Sequence, residues 1–193
     1  MACNLTEGHV CAECVDLNDP PYVNTFSPHA AFKHKLLREF ARRFEFESFV
    51  ETGSNRGDTL DFLKCDFKEL HSIELHPDLY NYAISRFEKE PRIHLIHGNS
   101  GVMLGKVLEE VVQPCLLWID AHAAGHGTAD EGNPLEMELQ TIYEKCPTSL
   151  AVLDDQWPQD FEKTVVPEGW TKKWHHGLTF IHKTGLYDIP EKF

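Results

Sequence analysis

Short apolar runs alternate along the chain with longer segments in which apolar residues recur every three or four positions. The runs fit buried β-strands and occur at Phe49-Val50, Leu70–Leu75, Arg92–His97, Cys115–Ile119 and Leu150–Leu153. The segments between them, such as Pro77–Glu90 and Pro134–Lys145, fit amphipathic helices. Strands separated by helix-length segments predict right-handed crossovers. The pattern therefore predicts an α/β fold with a mostly parallel sheet and helices on both faces.

The two ends of the chain depart from this repeat. Residues 1–28 are acidic and contain no Lys or Arg, which predicts an irregular N-terminal arm before a single domain at 29–193. A helix is expected from Ser27-Pro28, with an apolar stripe and a mostly basic set of other faces that includes Lys33. We interpret those basic residues as a solvated helix face rather than a docking surface. Near the other end, a loop that contains Trp157, Pro158 and Pro167 is expected, and Trp170–His175 and Leu178–Lys183 after it predict an antiparallel hairpin.

Composition narrows the class of protein. The chain has 193 residues, of which 41% are apolar and 25% charged, as expected of a soluble globular domain. A net charge of −13 argues against nucleic-acid and anionic-membrane partners, because both need a basic surface. No apolar run approaches the roughly 20 residues that span a bilayer, and the first residues do not resemble a signal peptide. We expect a cytoplasmic protein, and nothing in the sequence indicates its oligomeric state.

Cysteine usage fits a reducing compartment. The six cysteines are Cys3, Cys11, Cys14, Cys65, Cys115 and Cys146, which we expect to be free thiols. Cys3, His9, Cys11 and Cys14 would be enough ligands for zinc. No second Cys-x-x-Cys completes the usual pattern, so we interpret this segment as ordinary.

Acidic residues end four of the five predicted parallel strands: Glu51, Glu74, Asp120 and the pair Asp154-Asp155. Ligands of open α/β sheets bind beyond the carboxyl ends of the strands. Acids that converge there would raise one another's pKa values unless cations or hydrogen-bond donors intervene. This arrangement is typical of a functional site.

A glycine-containing turn, Gly53 to Gly57, follows the first strand and precedes Asp58 and Thr59, which are good first-turn helix residues. Glycines allow backbone N–H groups to approach an anionic ligand at a helix N-terminus. The G-x-G-x-x-G pattern of dinucleotide-binding proteins is not present in this turn.

Four ordered segments resemble the motifs of class I S-adenosylmethionine-dependent methyltransferases: Glu51–Thr59, Ser72–Pro77, His97–Ser100 and Trp118–His122. The resemblance covers roughly residues 45–155 and implies a Rossmann-like, seven-stranded sheet whose last strand is antiparallel. It implies that the glycine turn holds the methionine end of the cofactor and that Glu74 binds both ribose hydroxyls. The adenine would lie along Gly98-Asn99-Ser100 and against Leu75. The implied cofactor-binding residues are Glu51, Gly53, Ser54, Asn55, Gly57, Asp58, Thr59, Glu74, Leu75, Gly98, Asn99, Ser100 and Asp120.

A narrower resemblance concerns catechol-type and macrolide-sugar O-methyltransferases. In those enzymes an acid after the fourth strand and a pair after the fifth bind Mg²⁺, which implies a metal site at Asp120, Asp154 and Asp155. Catechol-type enzymes usually carry Asn at the position of Asp155, and a lysine base often follows the fourth strand. Here Ala121-His122 follows, so His122 becomes the candidate base, with His126 second. The candidate catalytic residues are Asp120, His122 and Asp155.

We interpret the chain as a methyltransferase that uses S-adenosylmethionine to methylate an oxygen of a small molecule, with Mg²⁺ or another divalent cation as a candidate aid. Alternatives on the same fold are an aminopropyl-type transferase and a non-catalytic adenosyl-binding or partner protein. A metal-dependent hydrolase built from His122, His126, Asp120 and Asp154 is a third. Trp157 is a candidate pocket residue, Trp118 a core residue, and His94 and His97 solvated or hydrogen-bonded strand residues.

Overall fold

The computed structural model describes residues 28–121 and 134–191. The helices are α1 (Pro28–Arg43), α2 (Asp58–Leu63), α3 (Pro77–Arg86), α4 (Ser100–Glu110), α5 (Leu135–Lys145) and α6 (Pro158–Lys163). The strands are β1 (Ser48–Thr52), β2 (Glu69–Glu74), β3 (Ile93–His97), β4 (Cys115–Ile119), β5 (Leu150–Leu153), β6 (Trp170–His175) and β7 (Leu178–Lys183).

The strands form a seven-stranded sheet in the order β3-β2-β1-β4-β5-β7-β6. Strands β1 to β5 run parallel to their neighbours, whereas β7 is antiparallel to both β5 and β6. The predicted mixed sheet with its C-terminal hairpin is therefore confirmed. The strand order reverses direction between β1 and β4, which places a crevice at the carboxyl ends of these two strands.

Each face of the sheet carries its own apolar core because side chains alternate across a strand. One core packs α1, α2 and α3 against residues such as Phe49 and Leu70. The other packs α4 and α5 against residues such as Val50 and Ile73. The prediction of helices on both faces is correct, and Trp118 lies in the first core as expected.

Several local predictions differ from the structure. Strand β2 spans Glu69–Glu74 rather than Leu70–Leu75. The third helix ends at Arg86 rather than at Glu90. Residues 158–163, expected as a loop, form α6. This helix begins at Pro158, and its N-terminus is capped by a hydrogen bond from the Trp157 N–H to the Asp160 carboxylate (3.2 Å). Almost all of the predicted N-terminal arm lies outside the described residues. Across residues 28–121 and 134–191, no helix is long and apolar enough to cross a membrane.

Candidate functional site

The carboxyl ends of β1, β2 and β4 meet at one crevice. Thr52, the last residue of β1, pairs with Ile73 of β2 on one side and with Ile119 of β4 on the other. The Asp120 N–H then donates to the Thr52 carbonyl at 3.1 Å, and the Gly53 N–H donates to the Ile73 carbonyl at 2.8 Å. This register brings Glu51, Glu74 and Asp120 to the same edge of the sheet.

The glycine turn after β1 needs its glycines. Gly53 and Gly57 have φ angles of +84° and +78°, in the left-handed region that side chains disfavour. A Cβ on Gly53 would lie 2.8 Å from the Asp120 carbonyl oxygen, and one on Gly57 would lie 2.5 Å from the Phe87 ring. The turn therefore lies against the β4 end and against the end of α3, with no space for larger residues.

Glu74 links the end of β2 to this turn. One carboxylate oxygen of the buried side chain accepts the Asn55 N–H at 2.8 Å, and the other accepts the His76 N–H at 2.8 Å. A carboxylate oxygen has two lone pairs, so each oxygen keeps acceptor capacity for a ligand hydroxyl. Two hydrogen bonds from the backbone fix the orientation of the carboxylate before any ligand arrives.

A buried hydrogen-bond chain lies beneath the turn. Ser54 Oγ and Ser72 Oγ are 2.6 Å apart, and Ser72 donates to Glu51 at 2.7 Å. Glu51 is 1% exposed, and burial raises the pKa of its carboxyl to about 8, although hydrogen bonds from Ser72 and Thr59 oppose the shift. The Thr59 hydroxyl also approaches His34 Nε2 at 3.4 Å. Ser54 and Thr59 thus support the crevice floor.

The segment after β3 borders the other side of Glu74. The Gly98 N–H donates to the Glu74 carbonyl at 2.9 Å, and the Asn99 side chain accepts the Gly101 N–H at 2.9 Å, capping α4. Leu75 is half-buried next to this segment. Buried Ser100 hydrogen-bonds to Glu138 of α5. That this segment binds the adenine, as the resemblance implies, stays a prediction.

Asp58 links the start of α2 to α3. Its carboxylate accepts a hydrogen bond from Arg86 at 2.6 Å, and Arg86 also binds the Arg56 carbonyl. Asp58 therefore fastens the glycine turn to α3, and its predicted role in cofactor binding stays a prediction.

A second set of acids, Asp120, Asp154 and Asp155, gathers at the ends of β4 and β5. Lys33 of α1 reaches into it, with its Nζ 2.5 Å from Asp154 Oδ1 and 3.0 Å from Asp155 Oδ1. Lys33 is 9% exposed, so the prediction of a solvated helix face is wrong at this position. The sequence did contain a signal, because Lys33 shares the helical stripe of Leu37 and Phe40.

More carboxyl groups lie at the crevice than the single positive charge of Lys33 can neutralise. Burial raises the pKa of Asp120 to about 9, and the neighbouring Asp154, Glu51 and Asp155 carboxylates add to the shift while Lys33 opposes it. Burial also raises the pKa of Asp154 despite its contact with Lys33. Lys33 acts on Asp120, Asp154 and Asp155, while Glu51 adds to the repulsion at Asp120, so a cationic ligand would relieve that repulsion.

Asp120, Asp154 and Asp155 also meet a geometric requirement for a metal site. One oxygen from each lies within 4.8 Å of the others. Carboxylate oxygens are the ligands that Mg²⁺ and Ca²⁺ prefer, so the donor set fits a divalent cation. The Lys33 ammonium contacts two of the three carboxylates and would compete with such an ion.

A cavity of about 790 Å³ opens beside Asp155. Its lining combines α1, the end of β5 and the β6–β7 turn: Phe32, Asp155, Gln156, Trp157, Trp174, His176 and Gly177. Trp174 is held by a hydrogen bond from its Nε1 to the Gln156 carbonyl (2.8 Å), whereas Trp157 is 68% exposed. The candidate pocket residue Trp157 therefore lies at a cavity that adjoins the acid cluster.

Sequence reasoning missed two charged groups of this region. Lys33 is one, and the other is Glu138, a buried residue of α5 that hydrogen-bonds to Ser100 and Thr52. Burial raises the pKa of Glu138, and its Oε1 has no hydrogen-bond partner among the described atoms. The candidate bases His122 and His126 lie outside the described residues.

Solved methyltransferases of low sequence identity share this architecture. An O-methyltransferase from Bacillus cereus in complex with S-adenosylhomocysteine is 14% identical with a TM-score of 0.56, and the match covers 82% of this chain and 81% of that one. The S-adenosylhomocysteine-bound methyltransferase PaMTH1 from Podospora anserina is 13% identical with a TM-score of 0.58, covering 90% and 86%. An rRNA methylase from Streptococcus thermophilus is 11% identical with a TM-score of 0.56, covering 82% and 98%. No protein-family profile and no curated protein sequence matches the chain.

At such identities the likeness concerns the architecture of the sheet and its helices. The parallel strands, the antiparallel β7 and the crevice at the β1 and β4 ends agree with the fold that the sequence motifs implied. The chain has the fold of the class I S-adenosylmethionine-dependent methyltransferases.

Proposed function

We propose that this protein is a methyltransferase that transfers the methyl group of S-adenosylmethionine to a hydroxyl oxygen of a small molecule. One observation carries the proposal. The Glu74 carboxylate is fixed by the Asn55 N–H of the glycine turn, beside the switch point of a methyltransferase fold. A preoriented carboxylate next to a glycine turn suits a ligand that combines vicinal hydroxyls with a charged amino-acid end.

The methyl donor would lie across the strand ends. Glu74 would accept hydrogen bonds from the two ribose hydroxyls, and Gly98 to Ser100 with Leu75 would border the adenine. The methionine end would lie over Gly53 to Gly57 and near Asp120. Its ammonium and the sulfonium are both positive, so they suit a crevice in which Glu51, Asp120 and Asp154 repel one another.

The acceptor would bind in the cavity lined by Phe32, Trp157 and Trp174. Aromatic walls on a cavity of this size favour a planar apolar body. Asp155 lines the same cavity and accepts a hydrogen bond from Lys33. A hydroxylated planar molecule therefore matches both the walls and the polar end of the cavity.

The reaction would form a bond between the acceptor oxygen and the methyl carbon as the carbon–sulfur bond breaks. S-adenosylhomocysteine leaves, and the acceptor proton passes to a base, for which Asp155 and His122 are the candidates. Holding the oxygen in line with the methyl group supplies much of the acceleration. Through its positive charge, Lys33 would stabilise the negative charge that the acceptor oxygen gains as its proton leaves.

A divalent cation is a proposed aid to this reaction. Asp120, Asp154 and Asp155 would hold it, and when bound it would lower the pKa of an acceptor hydroxyl. The ion would displace Lys33 from at least one carboxylate, because the ammonium lies against Asp154 and Asp155.

The aminopropyl-transferase and non-catalytic alternatives have no specific support in the site. The predicted exclusion of nucleic acid, which rested on the net charge of −13, stays a prediction because one similar structure is an rRNA methylase. The cytoplasmic location likewise stays a prediction.

We expect the full-length protein to release S-adenosylhomocysteine when it is given S-adenosylmethionine and small phenols or catechols. Asp155→Asn and His122→Ala should be compared with Asp188→Asn, which changes an exposed acid. Loss of a general base typically lowers kcat about 10²- to 10⁴-fold. One of the two candidate variants should show such a loss with an unchanged dissociation constant for S-adenosylhomocysteine.

Tight binding of S-adenosylhomocysteine without turnover on any phenol or catechol would contradict the proposed acceptor. Turnover that both candidate variants retain would remove Asp155 and His122 as bases.

A further inference from the structure

Three potential metal ligands lie on one face of the sheet, away from the crevice. His71 of β2 and His94 of β3 are register partners in the parallel ladder. Glu69 precedes His71 by two residues, so its side chain lies on the same face. This is the face that α4 covers. Glu69 and Glu74 begin and end β2, which separates the two regions by roughly 17 Å at about 3.3 Å per residue.

The side chains of this trio converge. The two imidazole rings are stacked, with centroids 4.6 Å apart and planes inclined by 24°. One donor atom from each of Glu69, His71 and His94 lies within 4.8 Å of the others. His71 Nε2 and Glu69 Oε2 are 3.6 Å apart, which is too long for a hydrogen bond.

One ring nitrogen of the buried His71 lacks a hydrogen bond among the described atoms. The residue is 7% exposed, and its Nε2 has no hydrogen-bond partner among the described atoms. A buried polar atom without a partner costs about 1–3 kcal/mol, so such atoms are rare in native proteins. Burial and the neighbouring His94 lower the pKa of His71, which keeps the imidazole in the neutral form that binds metals.

Glu69 is held in position by groups outside the trio. Its Oε1 accepts hydrogen bonds from Ser48 Oγ at 2.8 Å and from the Val112 N–H, just beyond α4, at 3.2 Å. Its Oε2 remains on the side of the histidines. Metal-binding carboxylates are commonly fixed in this way by a second layer of hydrogen bonds.

We propose that Glu69, His71 and His94 form a zinc site. Two imidazoles and one carboxylate are a donor set that Zn²⁺ binds, with water at the fourth position. His94 is exposed on β3, the edge strand, which gives the ion and the water a route from solvent. The bound ion would tie the edge strand to β2 and, through Glu69, to the end of α4.

The test is a titration of the full-length, chelator-treated protein with Zn²⁺, comparing wild type with His94→Gln and His97→Gln. His94 and His97 are both exposed residues of β3 but lie on opposite faces, so they form a matched pair. We expect His94→Gln to bind one Zn²⁺ fewer than wild type, or to bind it at least about 100-fold more weakly. His97→Gln should behave as wild type.

Cobalt substitution adds a spectroscopic readout. Co²⁺ at this site should give visible bands without a thiolate charge-transfer band, and His94→Gln should remove them. Equal Zn²⁺ stoichiometry and affinity in the two variants would overturn the proposal. Cobalt bands of thiolate character that persist in His94→Gln would also overturn it, because they would place the metal at cysteines.

Discussion

Replacing Glu74 with glutamine should weaken the binding of S-adenosylhomocysteine about 100- to 1,000-fold. In the proposed complex the Glu74 carboxylate accepts two hydrogen bonds from the ribose, and each hydrogen bond to a charged group contributes about 1.5–3 kcal/mol. Glutamine keeps the shape but loses the charge, and its NH₂ group cannot accept a hydroxyl proton. Isothermal titration calorimetry measures the change directly.

A structural effect must be separated from a binding effect, because Glu74 also accepts the Asn55 and His76 N–H groups. Methylthioadenosine and its 2′,3′-dideoxy analogue make this distinction. Wild type should bind the analogue far more weakly, whereas Glu74→Gln, which keeps one acceptor oxygen, should discriminate much less between the two ligands. Glu88→Gln, at an exposed acid, is the control for a simple loss of charge. If Glu74→Gln still discriminated between the two ligands as wild type does, the ribose role would be wrong.

Replacing Lys33 with methionine should lower the free energy of unfolding by about 3–4 kcal/mol at pH 7. Removing one partner of a buried ion pair typically costs about 3–5 kcal/mol. In Lys33→Met the buried Asp154 carboxyl can avoid an unpaired charge by taking up a proton. Protonating an ordinary aspartate costs about 1.4 kcal/mol per pH unit above its usual pKa. At pH 7 this cost is about 4 kcal/mol, which sets an upper limit on the stability lost in Lys33→Met.

The stability lost in Lys33→Met should become smaller as the pH falls. A raised pKa of Asp154 in the folded variant means that the folded state binds a proton that the unfolded state releases, so stability rises towards acid pH. Urea unfolding at pH 7 and pH 5 tests this, with Lys35→Met, at an exposed lysine of the same helix, as control. Equal stability of the two variants at pH 7 would contradict the buried ion pair.

Lys33→Met also tests the proposed divalent-cation site. Without Lys33 the three carboxylates lose their counter-ion, so millimolar Mg²⁺ should recover part of the lost stability. The recovery should be absent when Asp154→Asn is added. If Mg²⁺ stabilises neither Lys33→Met nor wild type, the metal part of the proposal fails while the methyl-donor part stands.

The sheet could be predicted because its signal is local. Runs such as Cys115–Ile119 are short, apolar and followed at once by an acid, so strand length and strand end are both visible in the sequence. The glycine turn was visible for the same reason, since the positive φ angles at Gly53 and Gly57 favour glycine. These local signals also located Glu51, Glu74 and Asp120 at one edge.

Features that depend on pairing between distant segments could not be predicted. The side chain of Lys33 reaches Asp154 only because α1 packs over the β5 end, and the aromatic cavity needs the same helix and the β6–β7 turn. The sequence pattern predicts only a solvated or hydrogen-bonded strand residue at His94. Its approach to His71 follows from the register of β2 against β3, which no residue pattern in either strand specifies.

The most direct test of the central claim is calorimetric titration of the wild-type protein with S-adenosylhomocysteine. We predict a single saturable event with one ligand per chain. A matching rise in thermal stability should accompany it, equivalent to about 2.7 kcal/mol when the ligand is at 100 times its dissociation constant. Absence of both heat and stabilisation at millimolar ligand would contradict the assignment of the crevice to the adenosyl ligand.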